Sequence, residues 1–132
     1  MEVFVRALAK VAENDPTFVV GVEKLDHLKS LGFTSDEIYR VVAPRRTLAR
    51  RKDQGEPLSL AESDRAMRLE RVAIEAERVF ASREKALQWL RSEIMALDDR
   101  RPIDLLESET GAHVVLDELI RIDYGMSEER LP

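Results

Sequence analysis

Five cationic side chains fall within eight residues, Arg45, Arg46, Arg50, Arg51 and Lys52, and between Pro44 and Gln54 only Asp53 opposes them. The other 16 basic residues share the chain with 25 of its 26 acids, so a basic island sits in a protein of formal net charge −5. Scattered charge would not strip carboxylates from one segment, and the partner chemistry that such an island fits is a polyanion. Arginine can grip O6 and N7 of guanine with two hydrogen bonds, which discriminates between bases by about 1–3 kcal/mol. Arg45, Arg46 and Arg50 are therefore candidate readers or phosphate clamps, Arg51 and Lys52 candidate phosphate contacts, and Thr47 a hydroxyl for either. The competing reading is a solvated basic helix face with no ligand.

Other chemistries find little support. Cysteine is absent, which removes disulfides, thiolate metal sites and thiol nucleophiles together. His113 and Asp117 lie four apart on one helix face but lack a third metal ligand, so a surface pair is expected and no metal. His27, between Asp26 and Leu28, is expected to be solvated. No nucleophile elbow or phosphate-binding glycine loop occurs, and the carboxylates of Asp98-Asp99 and Glu128-Glu129 lie in charged loops. Neither catalysis nor a cofactor is expected. No apolar run approaches 18 residues and the N-terminus lacks the features of a signal peptide, so the expectation is a cytoplasmic protein without membrane contact.

The elements that must position the island are helical. Phe4, Ala7, Leu8 and Val11 space an amphipathic stretch over residues 2 to 13. Val22, Leu25 and Leu28 mark a helix closed by Gly32, with Phe33 packed back over its end. Thr34-Ser35-Asp36-Glu37 fits a capping box, so a helix starts at Ser35 and stops near Ala43, ahead of Pro44. Pro44 suits the first turn of the basic helix, Leu48 anchors it, and Gly55-Glu56-Pro57 ends it. Ser59 and Glu62 form a second capping box. It opens a long helix whose stripe is Leu69, Val72, Ala73, Ala76, Val79 and Phe80. Beyond Ser82, Ala86, Trp89 and Leu90 point inward. Asp98-Asp99-Arg100-Arg101 is a polar break, Pro102 to Leu106 a single helical turn, and Ser108 caps a last helix through Ala112, Val115, Leu116, Leu119, Ile120 and Ile122. No segment alternates as a strand does.

Three consecutive short helices, the middle pair separated by a tight turn and the later one basic, describe a helix-turn-helix, whose later helix enters the major groove. The run Ile38 to Arg51, with Glu56-Pro57-Leu58-Ser59 and Leu69-Glu70-Arg71-Val72, resembles the Xre-type half of the Xre/MbcA/ParS antitoxins. Val79-Phe80, Ala86-Leu87-Gln88-Trp89-Leu90, Pro102-Ile103-Asp104-Leu105-Leu106, Thr110-Gly111 and Ile122-Asp123-Tyr124-Gly125 are similar, in order and spacing, to that family's toxin-binding domain. The resemblance spans roughly residues 22 to 126.

It implies an all-α fold, with an Xre-like helix-turn-helix bundle joined by the long helix to a small toxin-binding domain. The implied divisions are an N-terminal segment 1–21, a DNA-binding domain 22–79, a toxin-binding domain 80–126 and a tail 127–132. The implied function is a type II antitoxin that neutralises a RES-domain, NAD-degrading toxin by direct binding and represses the shared operon, as a homodimer on operator DNA. The alternative is a stand-alone helix-turn-helix regulator. In the C-terminal half, Trp89 and Leu106 are expected to shape the core and Gly111 to permit close helix approach. The surface around Tyr124 and Gly125, with Met126, Glu128, Glu129 and Arg130 of the tail, is expected to meet the toxin. Two departures from the family stand out. Asp98-Asp99 replace a frequent glycine pair, which predicts a differently shaped loop, and Val42-Ala43 replace a frequent glycine in the turn.

Overall fold

The computed structural model describes the backbone of residues 18–129 and side chains as far as Gly125. The helix expected over residues 2 to 13 therefore lies outside the described residues, as do the side chains of Met126, Glu128 and Glu129 and the whole of Arg130. Among the described residues the secondary structure is helical, with one isolated bridge between Ile94 and Arg100. The helices are α1 (Glu23–Ser30), α2 (Ser35–Val41), α3 (Arg45–Asp53), α4 (Leu60–Phe80), α5 (Arg83–Leu90) and α6 (Glu109–Glu129).

Each boundary has a local cause. Gly32 adopts φ +108° after α1, a conformation that other residues rarely reach, so its backbone favours glycine there. Phe33, 3% exposed, packs back over the helix end as its position predicts. Both capping boxes form: the Glu37 N–H donates to Thr34 Oγ1 (3.1 Å) while the Thr34 N–H donates to Glu37 Oε1 (2.8 Å), and Ser59 and Glu62 repeat the pattern at 3.1 and 2.9 Å. Between α2 and α3 the chain turns without a left-handed residue. Val42 and Ala43 are buried, and Pro44, at φ −57° and ψ 151°, is the N-cap of α3 and redirects the backbone one residue before the helix rather than inside its first turn.

Helix α4 is the spine. At 1.5 Å per residue its 21 residues extend about 30 Å. Ala66, Leu69, Val72, Ala73, Ala76 and Val79, all at most 7% exposed, join one core that runs from Leu28, Ile38 and Leu48 on one side to Leu90, Leu106 and Leu119 on the other. The two halves recognised in the sequence therefore share a single interior.

Beyond α5, a 3₁₀ turn at Met95–Leu97, unmarked by any sequence signal used above, precedes the polar break, and a second 3₁₀ turn spans Pro102–Leu105. Asp98 and Asp99 have φ +57° and +59°. Both positions adopt the left-handed conformation that glycine reaches freely and that short polar Asp tolerates at modest cost. Ser108 Oγ accepts the Gly111 N–H at 2.9 Å and caps α6. A Cβ on Gly111 would stand 1.8 Å from the Leu105 carbonyl oxygen, which explains the glycine.

Candidate nucleic-acid and partner interfaces

The basic helix is held by two inward side chains. Leu48, 4% exposed, enters the core. Arg51 turns the same way. Its Nε and Nη2 donate to the two oxygens of Glu62 at 2.9 and 3.2 Å, and its Nη1 donates to Glu56 at 3.0 Å. Glu62, 6% exposed, also closes the Ser59 capping box, so one carboxylate ties the end of α3 to the start of α4. Burial pushes the Glu62 carboxyl up, but the hydrogen bonds from Arg51 and the Ser59 N–H, with the Arg51 charge, outweigh it and leave the group below its ordinary value. The expected phosphate contact through Arg51 is therefore corrected to a structural ion pair, because its donors are already engaged.

The remaining cations stay outward. Arg45, Arg46, Arg50 and Lys52 are exposed, and none makes an ion pair with another described side chain. They surround Ala49, also exposed, whose small side chain lets the middle of the helix approach a surface closely. Sequence reasoning passed over Ala49, although its place one turn after Arg45 and beside Arg50 signals it. Thr47 is half-buried at the edge of the same helix.

Other arginines fasten the helix-turn-helix to the C-terminal half. Arg91, at the end of α5, donates to both oxygens of Glu37 at 2.8 and 2.9 Å and to the Gly32 carbonyl at 2.8 Å. Burial raises the Glu37 carboxyl, yet Arg91 and the Thr34 N–H together hold it below its ordinary value. Arg68 donates to the Leu106 and Glu107 carbonyls at 3.3 Å and Arg40 meets Asp104 at 3.1 Å, while within the helix-turn-helix Arg65 donates to the Val42 carbonyl at 2.8 Å. His27 is exposed, as expected, and also meets Glu70 at 2.7 Å beside Lys24.

The C-terminal half shows another kind of surface. Tyr124 is 69% exposed on the outer face of α6, with Ile120 exposed one turn before it and Val114 exposed nearer the start of the helix. A Cβ on Gly125 would meet nothing within 4 Å, so that position borders open space. Leu106 is fully buried, and Trp89, partly buried, lies against Phe80 with ring centroids 5.7 Å apart. The backbone of α6 continues through Glu129, so residues 127–129 of the expected tail extend this helix. Among the described residues there is no group of three or more potential metal ligands and no helix long and apolar enough to cross a membrane.

Comparison with known proteins agrees with this division. Residues 20–71 match the antitoxin Xre-like helix-turn-helix domain, and residues 75–125 match the antitoxin Xre/MbcA/ParS C-terminal toxin-binding domain. The chain belongs to the Xre/MbcA/ParS antitoxin family. Relatives named antitoxin Xre occur in Yersinia enterocolitica, 37% identical over 68% of this chain and 62% of the relative, and in Pseudomonas putida, 32% identical over 64% and 53%. The chain thus spans less than two thirds of the length of either relative. The family is one of antitoxins and not of enzymes.

Proposed function

We propose that the protein is the antitoxin of a type II system, that it neutralises a RES-domain, NAD-degrading toxin by direct binding, and that it represses the shared operon through α3. The observation that carries this reading is the outward face of α3. Four cations that make no ion pair among the described residues, set around a small residue on the second helix of a helix-turn-helix, suit a major groove lined by phosphates. In this reading Arg45, Arg46 and Arg50 contact operator bases and phosphates, Thr47 and Lys52 support them, and Ala49 packs against the groove floor. A homodimer places two such helices on inverted half-sites about 34–36 Å apart, or a multiple of that. Binding to operator DNA sets this work in the cytoplasm.

The toxin is met by the C-terminal end of α6, through Tyr124, Gly125, Met126, Glu128, Glu129 and Arg130. A stand-alone regulator has no use for the apolar outer face of α6, which disfavours that alternative. The test is co-expression with the product of the adjacent open reading frame. The reading expects co-purification, rescue of growth, and binding of the purified chain to the DNA upstream of the gene pair with strong salt dependence. Absence of both interactions refutes it.

A further inference from the structure

Six large hydrophobic side chains are strongly exposed among the described residues, and four of them, Met95, Val114, Ile120 and Tyr124, lie in the C-terminal half. Met95 leads them at 87%, on the 3₁₀ turn before the Asp98-Asp99 loop. Folding offers no reason for it, since this side chain reaches none of the core just below it, where neighbouring Leu97 is buried. Beside the turn opens a cleft of about 510 Å³ with Ala96, Leu97, Leu105 and Val114 as apolar lining and Asp98 and Glu107 at its polar edge. Val114, exposed near the start of α6, also lines the cleft, nearly two turns before Ile120 along the helix.

The charges are one-sided. Asp104 is taken up by Arg101 and Arg40, whereas Asp98, Asp99 and Glu107 pair with no described cation, and Arg100 is the one cation lining the cleft. Asp98 and Asp99 stay at left-handed positions where glycine would fold more easily, so stability does not account for their carboxylates.

We propose that the Met95 turn and the adjoining cleft, with Val114 at its rim, form a docking surface for the toxin, which contributes an apolar pocket for Met95 and a basic side chain for Asp98, Asp99 and Glu107. The inference rests on the antitoxin reading and deepens it by adding a second contact region at the opposite end of α6 from Tyr124. The toxin is the occupant because the whole surface lies within residues 75–125, the span matched to the toxin-binding domain, and because an exposed apolar anchor ringed by charge is how protein interfaces concentrate binding energy. A second copy docked through the same patch about a two-fold axis would bring these acids toward like charges.

The decisive variants are Asp98→Gly/Asp99→Gly, which removes both carboxylates while easing the backbone, and Met95→Ser, which removes an exposed apolar group. Each is titrated, as the full chain, against the purified product of the adjacent open reading frame, with melting temperature, operator binding and sedimentation measured in parallel. The proposal expects at least tenfold weaker binding for each variant, a melting temperature equal to or above wild type for the glycine pair, and unchanged operator binding. Wild-type binding with unaltered affinity in both variants overturns this inference alone. A loss of self-association in Met95→Ser, with toxin affinity intact, overturns it in favour of a contact between copies. Failure of the wild-type chain to bind that product at all overturns the antitoxin reading and this inference together.

Discussion

The outer face of α3 and the outer face of α6 are both exposed, and they differ in every property that matters for recognition. The first presents Arg45, Arg46, Arg50 and Lys52 around Ala49 and no large apolar side chain, while the second presents Ile120 and Tyr124. Interior arginines show what folding itself requires: Arg51, Arg65, Arg68 and Arg91 each end on a carboxylate or a carbonyl of another element. The α3 cations do not. A guanidinium that finds no partner among the described residues, beside one that finds two, separates binding from architecture more sharply than a count of basic residues does.

The comparison breaks most violently if the two halves are parted. Truncation after residue 80 removes α5 and α6 and uncovers Val72, Ala73, Ala76 and Val79, so the fragment is expected to lose its cooperative thermal transition, as followed by circular dichroism. Full retention of the transition would show that the halves fold independently. Next in size is Gly111→Ala. Its Cβ collides with the Leu105 carbonyl, and a loss of about 3 kcal/mol in denaturant unfolding is expected. Because the core is shared, operator binding should weaken with toxin binding.

The contrast between neighbouring arginines is sharper still. Arg46→Ala should relax base preference at one position of each half-site by about tenfold and leave the melting temperature unchanged. Arg51→Ala should lower the melting temperature while leaving the salt dependence of operator binding intact, because that charge faces Glu62. Deleting residues 126 to 132 should reduce neutralisation and spare operator binding. If neutralisation persists undiminished, inhibition works through the domain surface instead.

The smallest effect is with pH. Glu37 and Glu62 are both held below the ordinary glutamate value of 4.5 in the folded protein, so they stabilise it fully above that value. Their contribution disappears as pH falls below 4.5 through the lowered folded values. Unfolding midpoints measured from pH 6 to pH 3 should fall over that lower range, and Glu62→Gln should fall less steeply.

What the sequence discloses is local. Capping boxes at Thr34 and Ser59, the Gly32 stop and the stripe from Leu69 to Val79 depend on residues three to eleven apart, and all are met in the structure. Arg51 was misjudged because its partner Glu62 belongs to the next helix, and the direction of a side chain on a basic helix is set by what packs beneath it. His27 meets Glu70 across 43 positions, beyond the reach of any periodicity. The left-handed pair at Asp98 and Asp99 escaped because Asp signals a polar loop without specifying its φ angles. The outer faces of α3 and α6 were only half legible: charge marks the first in the sequence, whereas exposure of Ile120 or Tyr124 emerges only once the core is known.

One shared core carries two recognition faces that can be lost separately. The most direct test is paired titration of the wild-type chain, Arg45→Ala/Arg46→Ala/Arg50→Ala and Ile120→Asp/Tyr124→Asp against upstream operator DNA and against the purified product of the adjacent gene. The account predicts that the arginine variant loses at least a hundredfold in operator affinity and none for the protein partner, that the α6 variant does the reverse, and that both melt with wild type. If either variant, still folded, loses both interactions or neither, the division of labour between the two faces is contradicted.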